Sequence, residues 1–158
     1  MNYGPHAKLA ELGIHLPLAS PPKGAYVPAV RSGDFVYVSG QVPMENGELV
    51  ANGKVGADIS SEYAQVLCRQ CAIAALAAID ELVGLDNVTK VIKVTGFVAS
   101  SEGFTGQAGV INGASELFVE VFGEAGRHAR SSVGVAELPL GSPVEIEVIA
   151  EVACQDQG

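Results

Sequence analysis

GRHARSSVGVAELPLGSPVEIEVIAEV, residues 126–152, contains two β-strand patterns separated by a turn. Their apolar residues predict strands over Ser131–Glu137 and Val144–Val152, joined by a turn at Pro139–Pro143. In the second strand one face is wholly apolar, and the other carries Glu145, Glu147, Ile149 and Glu151. Such a strand buries one side against a core and directs its carboxylates to the other side.

Arg130 lies at the start of the first strand and is one of only nine basic residues beside eighteen acidic ones. The planar guanidinium fork suits a carboxylate, so Arg130 is a candidate site for a small anion. The alternative is a surface ion pair with Glu124 or Glu137, worth about 1 kcal/mol or less. Glu145, on the strand that we predict to be its neighbour, is a candidate base.

The second strand carries three glutamates that could take part in chemistry. A solvated edge face explains all three, whereas a single one turned into a cleft could act as an acid or base, helped by burial that raises its pKa. The alternating pattern alone does not choose among them.

Length and composition limit the classes of protein that fit. A chain of 158 residues, 48% hydrophobic and 17% charged, is large enough for one globular domain with a real core. A net charge of −9 makes nucleic acid or an anionic membrane an unfavourable partner. The opening MNYGPHAKLAEL has no hydrophobic signal core, so we expect a cytoplasmic protein.

Three smaller motifs have plain structural interpretations. Cys68 and Cys71 form a CxxC inside a predicted helix, and zinc would need two further ligands, so we expect buried core thiols and no metal. Gly103, Gly106 and Gly109 do not have the spacing of a nucleotide-binding loop. His128 could bind phosphate or act as a base, but a histidine at a loop end is more often exposed.

The remaining elements complete an α/β (α+β) domain. A short helix is predicted over Pro5–Leu12, and Pro43–Ile59 is interpreted as a loop with a possible hairpin. The other predicted elements are strands at Tyr26–Arg31, Phe35–Gly40 and Lys90–Ser100, a helix capped by Ser60 or Ser61 and ending at Gly84, and a helix over Gln107–Phe122. The order ββαβαββ predicts a mixed sheet with two long helices on one face.

The second face of this sheet also needs a cover. Phe35-Val36-Tyr37-Val38 is apolar at successive positions, which is typical of a strand buried on both sides. The chain offers no further long helix for that face. We therefore expect another subunit to cover it.

These features resemble the Rid family of reactive-intermediate (enamine/imine) deaminases, also called the YjgF family. The resemblance runs from about Gly24 to Val152. It rests most strongly on ARSSVGVAELPLGSPVEIEVIA, with support from GAYVPAV, VYVSGQVP and KVTGFVAS. It implies a chorismate-mutase-like fold assembled as a homotrimer with a barrel-like core and sites between subunits.

The resemblance also implies an activity, which is hydrolysis of 2-imino or enamine acids of the 2-aminoacrylate type to 2-oxo acids and ammonia without a cofactor. Arg130 matches the arginine that grips the substrate carboxylate, and Glu145 matches the glutamate near the attacking water. Other positions that match residues of the same cleft are Tyr26, Ser39, Gly40, Asn112 and Ser132.

The chain departs from the family pattern in ways that affect substrate more than fold. Ser132 stands where many members have cysteine, and extra residues occur around 46–58 and 120–127. We expect an N-terminal extension at 1–22, one domain at 23–153 and a tail at 154–158. A non-catalytic module that binds a small carboxylate metabolite is the alternative function, and an endoribonuclease fits the acidic charge less well.

Overall fold

The computed structural model describes residues 4–154, which contain three α-helices, seven strands and short 3-10 turns. In chain order the elements are α1 (Pro5–Glu11), β1 (Ala29–Ser32), β2 (Phe35–Gln41), β3 (Met44–Glu45), β4 (Glu48–Leu49), α2 (Ser61–Val83), β5 (Val88–Ala99), α3 (Gln107–Phe122), β6 (Ala129–Val135) and β7 (Val144–Val152). The predicted loop over 43–59 does contain a small hairpin, β3–β4.

Five strands form one mixed sheet in the order β1-β2-β7-β5-β6. All neighbours are antiparallel except β5 and β6, which are parallel because α3 crosses between them. The predicted ββαβαββ mixed sheet is confirmed. The expectation that β6 and β7 are neighbours is wrong, because β7 inserts between β2 and β5 and leaves β6 at the edge.

Both long helices lie on one face of the sheet, as predicted. They cover the apolar side chains that alternate along the strands, including Val36 and Val38 of β2 and the apolar face of β7. The two helices approach closely, since a Cβ atom added to Gly113 of α3 would collide with the Gln65 carbonyl oxygen of α2. The core therefore lies between this helical layer and the sheet.

The ends of α2 follow ordinary capping chemistry. The Ser60 hydroxyl accepts a hydrogen bond from the Tyr63 N–H at 3.1 Å, and Gly84 follows the helix with a φ of 81°. Leu82, near the end of α2, is 44% exposed although it is apolar. Ile79 and Val83, four residues apart, pack toward the core on one face of the helix. Leu82 therefore lies at the edge of this buried face.

The opposite face of the sheet has no helix over it. Phe35 is 37% exposed and Tyr37 is 48% exposed on this open face, Val30 is exposed opposite Tyr37, and Val133 is exposed on the edge strand β6. Within one chain, only the helix-facing half of the predicted doubly buried pattern is covered.

The N-terminal segment packs against the domain. Leu9 of α1 is buried in the core, and His6 Nε2 lies 2.9 Å from an Asp80 carboxylate oxygen of α2. The division of the chain at residues 22 and 153 stays a prediction, and most of the expected tail lies outside the described residues. No helix within residues 4–154 has the length and apolar character needed to cross a membrane.

Candidate active site

Glu145 lies on β7 opposite Phe97 of β5, on the face of the sheet away from the helices. The pairing of β2 with β7 shifts between Val38 and Gln41, which turns Gly40 toward Glu145. A Cβ atom added to Gly40 would collide with a carboxylate oxygen of Glu145. The missing side chain of Gly40 is therefore what gives the carboxylate its space.

A cavity of about 380 Å³ opens next to this carboxylate. Three residues implied by the family resemblance line it: Tyr26, Gly40 and Glu145. Burial raises the pKa of Glu145 above its usual value of 4.5, and the charge of Glu147 raises it further. A carboxyl group with a raised pKa is better matched to proton transfer near neutral pH.

Ser39 holds the segment that positions Tyr26. Its hydroxyl donates to the Val27 carbonyl oxygen at 2.6 Å, and its backbone N–H donates to the Pro28 carbonyl oxygen at 2.8 Å. The Ser39 hydroxyl is thus engaged by the protein's own backbone. Its contribution to the cavity is to tie the irregular segment before β1 to β2.

Arg130 is the second residue of β6 and lies opposite Val94, so its side chain projects toward the helical layer. Its Nη1 donates to Asn112 Oδ1 at 2.7 Å and to Ser115 Oγ at 3.1 Å. Both acceptors are on α3 and three residues apart, so they face the same way.

The alternative in which Arg130 makes a surface ion pair is not what the structure shows. Glu124 pairs with Arg127 at 3.0 Å, and Glu137 pairs with Lys54 at 3.1 Å. Within residues 4–154, Arg130 contacts no carboxylate at ion-pair distance. Its charge is therefore free to meet an external anion.

Ser132 lies on the same face of β6, opposite Gly96. Its hydroxyl is buried and has no hydrogen-bond partner among the described residues. An unpaired buried hydroxyl costs roughly 1–3 kcal/mol, so such groups are uncommon outside functional sites. The Ser132 hydroxyl is thus a polar group on the same face of β6 as Arg130 that the described residues leave unpaired.

The predicted site residues form two groups on one chain. The β6 half-site consists of Asn112, Arg130 and Ser132, on the helical side of the edge strand. The β7 half-site consists of Tyr26, Gly40 and Glu145, on the open face. Because β5 separates the two strands and the faces are opposite, a single chain does not bring Arg130 against Glu145.

Two residues near Arg130 were missed or misjudged from the sequence. Ser115 was not singled out, although its place three residues after Asn112 was the available signal. His128 is half-buried, not exposed: its ring lies edge-on to the Phe118 ring at 5.9 Å, and its nitrogens contact Ser115 and the Gly126 carbonyl. Burial lowers the pKa of His128.

The two cysteines of the CxxC lie in the core, as predicted. Cys68 and Cys71 are free and fully buried in α2, and burial raises the pKa of Cys68 to about 12. Such thiols are poor nucleophiles. No group of His, Cys, Asp and Glu side chains within residues 4–154 has the arrangement of a metal site.

This fold, with polar clusters on either side of the sheet, is that of a known class of small α+β proteins. The profile of the family described as endoribonuclease L-PSP matches residues 18–152. The chain therefore belongs to the endoribonuclease L-PSP family, which is the Rid or YjgF family.

Individual relatives agree with this assignment. Protein TCP17 of Trypanosoma cruzi is 43% identical over 92% of both chains. The 2-iminobutanoate/2-iminopropanoate deaminase of Dermatophagoides farinae is 35% identical over 88% of this chain and 94% of its own. The crystal structure of Atu1372 from Agrobacterium tumefaciens, of unknown function, has a TM-score of 0.88 and 44% identity, and the match covers 94% of this chain and 92% of that one.

Proposed function

We propose that this protein hydrolyses reactive 2-imino and enamine acids to 2-oxo acids and ammonia. The observation that carries the proposal is the half-buried guanidinium of Arg130, which is anchored through Nη1 alone and has no carboxylate partner within residues 4–154. Its Nε and Nη2 hydrogens form the fork that binds a carboxylate in two parallel hydrogen bonds. The relative named as a 2-iminobutanoate/2-iminopropanoate deaminase supports this substrate class.

The proposed reaction uses the two half-sites in separate roles. Arg130 holds the substrate carboxylate, which fixes the adjacent iminium carbon for attack. Glu145 accepts a proton from water as the water oxygen bonds to that carbon, which gives a neutral carbinolamine. Glu145 then returns the proton to the nitrogen, the carbon–nitrogen bond breaks, and the hydroxyl proton passes to the departing ammonia, so that a carbonyl remains and ammonium leaves. Atoms and charge balance without a cofactor.

We also propose a homotrimer in which the β6 half-site of one chain meets the β7 half-site of the next. Two features support it: the open apolar face of the sheet, and the placement of Arg130 on the edge strand β6. Light scattering should give three times the chain mass of 16.2 kDa. A monomer would contradict the shared site.

The activity can be tested with a dehydratase that releases 2-iminobutanoate. The purified protein should speed the formation of 2-oxobutanoate well above the rate of spontaneous hydrolysis. If calorimetry shows 2-oxobutanoate bound while several imines are not turned over, the protein is a carboxylate-binding module instead. Cleavage of a defined RNA by the same preparation would favour a ribonuclease.

Gly40→Ala should impair activity with little effect on the fold. The added methyl group displaces the Glu145 carboxylate, which can rotate away because it is the end of a flexible side chain. We expect kcat to fall by about 10- to 100-fold, within the contribution of a positioned acid or base, and the free energy of unfolding to change by about 1 kcal/mol or less.

Gly109→Ala is the matched control for this change. A Cβ atom at Gly109 of α3 meets no other atom within 4 Å, so activity should stay at the wild-type level. Alanine inside a helix should raise stability by roughly 0.5–1 kcal/mol. Equal activity of the two variants would show that Gly40 does not make room for a catalytic carboxylate.

A further inference from the structure

A continuous series of hydrogen bonds lies behind the guanidinium of Arg130. Arg130 Nη1 donates to Ser115 Oγ at 3.1 Å, and Ser115 Oγ is 2.8 Å from His128 Nε2. The other ring nitrogen, His128 Nδ1, is 2.7 Å from the Gly126 carbonyl oxygen. We call Arg130, Ser115, His128 and this carbonyl the Arg130 relay.

The chemistry of the last acceptor sets the direction of every proton in the relay. A carbonyl oxygen can only accept, so His128 Nδ1 must carry a hydrogen. In the neutral ring Nε2 then has a lone pair, and the Ser115 hydroxyl donates to it. The remaining lone pairs of the Ser115 oxygen accept from Arg130. Arg130, Ser115 and His128 therefore all donate in one direction, toward the Gly126 carbonyl.

A protonated ring would disrupt this arrangement. A hydrogen on Nε2 would turn the His128 ring into a second donor to the Ser115 oxygen, and the hydroxyl hydrogen would lose its acceptor. Burial of the ring opposes the charged form and lowers the pKa of His128, and the charge of Arg130 lowers it further, although the Gly126 carbonyl acts the other way. The geometry and the local charge thus both favour the neutral ring.

The backbone that holds the ring is itself fixed. Gly126 is buried, and a Cβ atom added to it would collide with the Phe118 carbonyl oxygen of α3. The His128 ring packs edge-on against the Phe118 side chain, with ring planes at 89°. The relay is therefore anchored in the packing of α3 and not on a mobile surface group.

We propose that Ser115 and His128 are positioning residues that aim the Arg130 guanidinium at the substrate carboxylate. The two Nη1 hydrogens are held by Asn112 and Ser115, which leaves the hydrogens of the Nε and Nη2 edge for a bidentate contact. This inference rests on the proposed role of Arg130 in binding an imino acid.

The first test measures substrate binding in Ser115→Ala and His128→Phe. Each should raise the KM for 2-iminobutanoate and the Kd of 2-oxobutanoate about tenfold, the scale of one hydrogen bond to a charged group, and should lower kcat less. Ser115→Thr keeps a hydroxyl and should restore most of the affinity. Ser131→Ala, beside Arg130 but exposed, is the matched control and should match wild type.

The second test does not depend on activity. Nitrogen-15 NMR of the His128 ring should show the tautomer with hydrogen on Nδ1, and Ser115→Ala should alter the Nε2 signal. Finding the hydrogen on Nε2 would overturn the relay.

The two tests separate the inference from the proposed function. Active wild type with Ser115→Ala equal to Ser131→Ala would overturn the positioning role and leave the deaminase proposal standing. A wild type that neither binds 2-oxobutanoate nor hydrolyses imines would contradict the proposed function. The NMR tautomer of His128 would then be the remaining test of whether the hydrogen bonds of the Arg130 relay run as proposed.

Discussion

Arg130→Ala is expected to lower kcat/KM for 2-iminobutanoate by about 10²–10³-fold, because truncating one partner of a buried charge pair costs roughly 2–5 kcal/mol. The guanidinium is half-buried and is the only cation of the β6 half-site, so no neighbour replaces it. The loss should appear in KM and in kcat, since the carboxylate is held in both the ground state and the transition state. The coupled dehydratase assay and calorimetry with 2-oxobutanoate measure the two contributions.

Arg127→Ala is the matched control for this loss. Arg127 lies three residues earlier, is largely exposed, and pairs with Glu124 on the surface, so its removal should cost about 1 kcal/mol or less in stability and nothing in activity. Arg130→Lys keeps the charge but loses the planar fork, and should have intermediate activity. An Arg130→Ala enzyme as active as Arg127→Ala would show that Arg130 does not hold the substrate carboxylate.

Local patterns in the sequence were sufficient for most elements of the fold. The bounds of α3 and β7 were predicted without error, because each has a strong apolar period and a glycine or proline at its margin. The strand before β2 was predicted three residues too early, since Tyr26 and Val27 look like strand residues but lie in an exposed lead-in.

Strand order was harder to predict than strand identity. A short turn at Pro139–Pro143 suggested that β6 and β7 pair, as in a hairpin. In the structure β7 pairs instead with β2 and β5, because its apolar face completes the core beneath α2 while β6 closes the edge beneath α3. Pairings between distant segments depend on packing of the whole layer, which no local pattern reports.

The same limit applies to the site. The family resemblance named Arg130 and Glu145 but not the faces of the sheet on which their side chains lie. Those faces depend on the register of the paired strands and on the shift in pairing near Gly40. The role of Ser115 depends on two atoms brought together from α3 and the loop before β6. The roles of Arg130 and Glu145 stay predictions until the variants are measured.

Glu145→Gln is expected to lower kcat by about 10²–10⁴-fold, the usual contribution of a positioned acid or base, with a smaller change in KM. The amide keeps the shape of the side chain in the cavity but cannot accept a proton from water. Glu147→Gln is the matched control, because Glu147 lies two residues along the same face of β7, is exposed, and acts on the site only through the pKa of Glu145, so it should lower kcat far less. Equal losses in the two variants would show a general effect of charge and not catalysis by Glu145.

The same substitution, Glu145→Gln, should raise the free energy of unfolding at neutral pH although it lowers kcat. Burial raises the pKa of Glu145 above 4.5, so the native state holds this proton more tightly than the unfolded chain. The unfavourable contribution of the carboxylate is then absent below pH 4.5 and grows as pH rises through the native pKa. Glu145→Gln should therefore be more stable than wild type at neutral pH, and the gain should vanish below pH 4.5.

Denaturant unfolding at both pH values measures the difference, and a variant less stable at neutral pH would mean that the carboxylate is held by favourable contacts. A gain in stability together with a loss of turnover is what a carboxylate kept in a partly buried site for catalysis should show.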